Sequence, residues 1–145
     1  MRKSLMTASL FLATLAAPVF AEGESHFVAI HVDQNDPQVM NMALNNAQNV
    51  ANYYESQGDE VTIELVAYGP GLNMFVAETS PVADRIASMS IALENLSFSA
   101  CGNTHRAMRA RTGTDVPLLE EVAMTASGVV RLIELQEDGY AYVRP

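Results

Sequence analysis

Ser97-Phe98-Ser99-Ala100-Cys101-Gly102-Asn103-Thr104 runs from a short extended segment straight into a helix start, and the helical residues that follow reach Arg111 before Gly113 closes them. The same joint recurs upstream. His26 to Asp33 is rich in β-branched and aromatic residues and nearly continuously apolar at its centre, which predicts a strand buried on both faces. Asp36-Pro37 then supplies an N-cap and a proline at the first helical position. Ala43, Ala47, Val50 and Tyr54, extended by Val39 and Met42, form the apolar stripe of the helix that Gly58 ends.

A second strand is expected from about Glu60 to Tyr68, stopped by Gly69-Pro70-Gly71, with a short helical turn over Leu72 to Ala77. Ser80-Pro81 repeats the cap-plus-proline signal, and Val82, Ile86, Met89 and Leu93 carry a helix to about Glu94. A fourth strand over Glu121 to Thr125, a helix over Ser127 to Glu137 and a last strand over Tyr140 to Arg144 complete the alternation. Strands and helices that alternate throughout predict an α/β fold of three layers, α/β/α, with a mostly parallel sheet of about five strands.

At the other end, Arg2 and Lys3 precede the apolar run Leu10 to Ala17, too short to cross a bilayer, and Val19-Phe20-Ala21 places small residues as signal peptidase requires. Residues 1–21 are therefore expected to be a signal peptide cleaved before Glu22, leaving 22–145 as one domain in the periplasm or secreted, with no membrane anchor. Losing Arg2 and Lys3 takes the formal charge from −9 to −11, a balance that repels nucleic acid and anionic lipid.

One cysteine, Cys101, cannot form an internal disulfide even in an oxidising compartment. A thiol at a strand-to-helix joint faces free backbone N–H groups that favour thiolate, and Arg106, Arg109 and protonated His105 would add to that bias. The opposing reading is a small buried residue. Loops after strands, at Asp33–Asp36, Tyr68–Asn73 and Cys101–Arg106, are expected to line one cleft.

Cys101, His105 and Met108 share a helical side and include soft ligands, a weak pattern for Cu(I), so no metal is assigned. His26 and His31 point to opposite sides of their strand, and Asp33 and Asp36 read as strand end and helix cap. No mature lysine, phosphate loop or nucleophilic serine motif is present, which argues against a nucleotide cofactor and against hydrolysis; no cofactor is expected.

Phe98 to Thr104, with Ala67-Tyr68-Gly69-Pro70-Gly71 upstream and Ser127 to Gln136 downstream, resembles the DsrE/DsrF-like family, in element order over essentially the whole mature chain. The resemblance implies a DsrE-like fold, homo- or hetero-oligomers, and a role in sulfur relay or sulfur oxidation. It places on Cys101 the cysteine that accepts sulfane sulfur as a persulfide, with sulfur donor and acceptor proteins or small sulfur compounds as partners. A homo-oligomer is expected. The alternative is a non-catalytic oligomeric scaffold that keeps the fold without its chemistry.

Overall fold

The computed structural model describes residues 23–145, so the signal segment read over 1–21 lies outside the described residues. Five strands, β1 (Ser25–Val32), β2 (Glu60–Ala67), β3 (Leu96–Cys101), β4 (Val122–Thr125) and β5 (Ala141–Val143), alternate with helices α1 (Pro37–Gln57), α2 (Ala83–Ala92), α3 (Gly102–Thr112) and α4 (Gly128–Glu137). The strand order is β4-β3-β2-β1-β5, with every neighbour parallel. This is an α/β fold with helices on both sides of a five-stranded sheet.

Three successive crossovers step in one direction from β1 to β4, so a constant hand puts α1, α2 and α3 on one face. The connection from β4 back to β5 reverses direction and carries α4 over the other face. The core divides accordingly. On the first face Val28, Ile30, Ile63, Leu65 and Phe98 pack with Met40, Leu44, Ile86 and the edge-on Phe75–Phe98 pair. On the second, Ala29 and Val66 meet Leu132 and Leu135 of α4. Each fully buried aliphatic side chain contributes about 1.5–3 kcal/mol, so the three-helix face supplies most of the hydrophobic stabilisation.

Asp36 caps α1 by accepting from the Gln38 N–H at 2.7 Å, and Gly58 ends it with a positive φ of 79°. The buried line of α1 is Met40, Ala43, Leu44, Ala47 and Ala51, whereas Met42 is exposed. The predicted stripe was thus rotated by part of a turn, because Leu44 and Met40 carry more apolar surface than the Val39–Met42 side. Ser80-Pro81 is not a helix cap. The Ser80 hydroxyl donates to the carbonyl of Met74 and accepts from Val82 N–H, tying down a 3-10 helix over Gly69–Phe75, and α2 starts two residues later at Ala83.

The second face also carries a polar layer. Glu64, 6% exposed in the middle of β2, receives Arg131 Nε at 2.8 Å and Nη2 at 2.7 Å, and the Ser99 hydroxyl at 2.7 Å. Burial alone would raise its pKa; the Arg131 and Ser99 hydrogen bonds and the Arg131 charge outweigh that and hold it below the ordinary carboxylate value. Nearer the strand ends, His31 bonds Tyr142 Oη through Nδ1 at 2.7 Å and stacks on Tyr68, while its Nε2 is buried without a partner. His31 and His26 do lie on opposite faces, since His26 stacks on Tyr54 of α1.

Candidate functional site

β3 and β4 are neighbours whose following helices leave to opposite faces. A crevice opens beyond the carboxyl ends of such a pair, because neither helix covers the gap. Cys101, the last residue of β3, pairs in register with Thr125, the last of β4, and stands there. Alternation along β3 puts Ser99 and Cys101 on the second face, and the chain turns at once into α3, with Cys101 as its N-cap residue. The backbones here are close: a Cβ on Gly102 would sit 2.9 Å from the Thr125 carbonyl oxygen.

Two helix N-termini meet at the sulfur. Backbone N–H groups of Thr104 and Asn103 in α3 and of Gly128 in α4, with the Thr104 side chain, lie close enough to favour its anionic form, although the sulfur makes no regular capping hydrogen bond to α3. Gly128 reaches it because it has no side chain: a Cβ would lie 3.0 Å from Tyr68 Cβ and 3.1 Å from Cys101 Cβ. The Thr104 oxygen in turn accepts the Gly69 N–H at 2.9 Å, which leaves its hydroxyl proton free to turn toward the sulfur. Burial pushes the thiol pKa up, but these four donors outweigh burial and leave it below the ordinary thiol value. Cys101 is 5% exposed and lines a shallow pocket of about 360 Å³ with Tyr68, Asn103, Thr104, Ser127 and Val129. The site favours the thiolate form of a sulfur recessed at the floor of this pocket.

The backbone N–H groups of the helix start act as expected from the sequence, but the added cationic help is missing. None of the groups that stabilise the thiolate is a cation. Arg106 hydrogen-bonds the Asn103 side chain, Arg109 pairs with Asp115 at 3.2 Å, and His105 Nε2 meets the Val116 carbonyl at 2.8 Å. The Cys101/His105/Met108 set is also dismantled, because Met108 packs against the core of the first face and His105 is bound to that carbonyl. Among the described residues no group of three His, Cys, Asp or Glu side chains is placed to hold a metal ion.

All three loops line one groove along α3, as expected, although Cys101 itself opens into a neighbouring recess. Tyr68 and the Cys101–Thr104 turn line that recess, whereas Asn35, Gly69, Pro70 and Asn73 line the groove, with Asn103 and Thr104 bordering both. Asp33 is engaged by Arg144 at 2.9 Å. Sequence reading missed Thr104 and Gly128, which are separated from each other by 24 positions and acquire their role only when α3 and α4 start side by side. It also missed Glu64; its signal was a lone carboxylate inside Ile63-Glu64-Leu65-Val66, which a doubly buried strand cannot hold unpaired.

No family model matches the chain, and no curated protein matches it. Among solved structures it is similar to the protein of unknown function MTH1491 from Methanobacterium thermoautotrophicum, at 30% identity over 83% of this chain and 99% of that one, with a TM-score of 0.69. The two chains belong to one family, and that relative brings no activity with it.

Proposed function

We propose that this is an exported DsrE-like protein of sulfur metabolism that carries sulfane sulfur as a persulfide on Cys101. The observation that carries the reading is the convergence of two helix N-termini and the Thr104 hydroxyl on a single recessed sulfur. Such donors stabilise a thiolate, and they serve equally for the persulfide anion that replaces it, whose terminal sulfur extends toward the pocket mouth. A merely packed cysteine needs no such gathering of donors around it, since a thiol is a weak donor and acceptor.

The test is intact-mass analysis after incubation with inorganic polysulfide. Wild type is expected to gain the mass of one sulfur atom, removable by a reducing thiol, and Cys101→Ser to gain none. A wild-type cysteine that takes up sulfur only after denaturation would end the proposal.

The proposed protein also self-associates through its second face. Val129, Val130 and Ile133 on the outer side of α4 are each about half exposed, as is Tyr142 of β5 on the same face. One helix over a five-stranded sheet leaves that apolar surface for a second copy to cover. Light scattering should return a multiple of the chain mass, and Ile133→Glu should shift it toward monomer. A single-chain mass, no more than 15.7 kDa, for the wild type would contradict this.

A further inference from the structure

The described residues hold six arginines and no lysine, and three of the arginines are bonded to side chains of other elements. Arg85 donates to Asn41 and Asn45, Arg131 to Glu64 and Arg144 to Asp33. The other three, Arg106, Arg109 and Arg111, all stand exposed on α3, and residues 102–114 contain no acid. Among the described residues of this acidic chain, three of the four exposed arginines thus stand on the one helix that starts at Cys101, the fourth being Arg144 in its pair with Asp33.

Their placement is local as well as clustered. Arg106 is held by the Asn103 side chain, and Asn103 borders the sulfur pocket. Its Nη1 lies 3.5 Å from a Cβ built on Gly102, next to the cysteine. Arg111 lies at the groove that runs along α3 to the same Asn103–Thr104 corner. Arg109 shares its charge only with Asp115 in an exposed pair, which is worth little in water.

We infer that the sulfur donor to Cys101 is a small anionic sulfane-sulfur compound drawn to the pocket by the three arginines of α3. This rests on the persulfide-carrier reading. A small donor is favoured over a sulfur borne on a protein surface because Cys101 is recessed and only 5% exposed. In the step, the Cys101 thiolate attacks the sulfane sulfur and a new S–S bond forms. The bond from that sulfur to the rest of the donor breaks, and its electron pair leaves with the departing anion. Charge and oxidation level balance without a further oxidant. A local positive field raises the encounter rate of such an anion and is screened by salt.

The experiment compares the rates at which Cys101 reacts with two aromatic disulfides, the dianion dithiobis(nitrobenzoate) and neutral dithiodipyridine, each referred to its rate with a free thiol such as N-acetylcysteine. At low ionic strength the normalised anion-to-neutral ratio is expected to exceed unity by about tenfold, and to fall toward one at high salt. Arg106→Gln/Arg109→Gln/Arg111→Gln should remove most of that preference. Salt dependence in the wild type reads the same field if the triple variant does not fold. A ratio at or below one, insensitive to salt, overturns the inference, and it would then point to a neutral donor or a protein partner. If neither reagent reaches Cys101 in the folded protein, the carrier reading itself falls.

Discussion

Arg131→Met is expected to destabilise the protein by about 3–5 kcal/mol, the usual cost of leaving a buried charge without its partner. Methionine keeps much of the stem that packs on the second face, so the loss reports the charge. Glu64 would retain only the Ser99 hydroxyl for a carboxylate buried within the sheet. Urea unfolding measures the change, and the double variant Glu64→Leu/Arg131→Met should recover most of it, because an apolar pair leaves nothing unpaired. A single variant as stable as wild type would show that Arg131 is not what neutralises Glu64.

The same pair makes the wild type acid-labile. Glu64 has a folded-state pKa below its unfolded value, so its contribution is complete above the unfolded pKa of about 4.3 and is lost as pH falls through the folded value. His31 acts in the same direction over a higher window. Burial, partly countered by Asp33 and reinforced by Arg144, lowers its pKa. The unfolded chain therefore takes up a proton near pH 6.5 that the folded chain refuses, and stability falls below that pH until the folded value is reached. His31→Gln should remove the upper step in a plot of stability against pH and leave the lower one.

Gly128→Ala is expected to raise the alkylation midpoint of Cys101 by about one pH unit, roughly tenfold less thiolate at a fixed pH below the midpoint. The added Cβ would meet Tyr68 and Cys101 carbon atoms at 3.0 and 3.1 Å, so the start of α4 must move and its N–H must draw away from the sulfur. Hydrogen bonds to a charged group are worth about 1.5–3 kcal/mol, enough for a shift of that size. Thr104→Val should raise the midpoint too, and leave the Gly69 N–H without its acceptor, whereas Thr104→Ser should restore it. Iodoacetamide alkylation against pH is the measurement, with Cys101→Ser as the blank. An unchanged midpoint in both Gly128→Ala and Thr104→Val would mean that the thiolate does not depend on these donors. Arg106→Ala should move it little, since Arg106 is bonded to Asn103 and not to the sulfur.

Sequence by itself determined the alternation of five strands and four helices, the Asp36 cap, the Gly58 and Gly113 stops, and Cys101 at a strand-to-helix joint. These are local: apolar period, capping chemistry and turn residues act over a few neighbouring positions, and they persist into the fold. Tertiary structure alone decided the order β4-β3-β2-β1-β5, and with it that the chain reverses after β4 and brings α4 to the second face. That reversal sets Gly128 against Cys101 and Arg131 against Glu64, pairs separated by 27 and 67 positions, which no local pattern relates. It also left the sulfur to the backbone dipoles expected at such a joint, joined by Gly128 from α4, without the added cationic help. The reason is one of range: Arg106 sits close to Cys101 along α3 yet bonds elsewhere, while a free N–H at a helix start acts only on what the packing places directly before it.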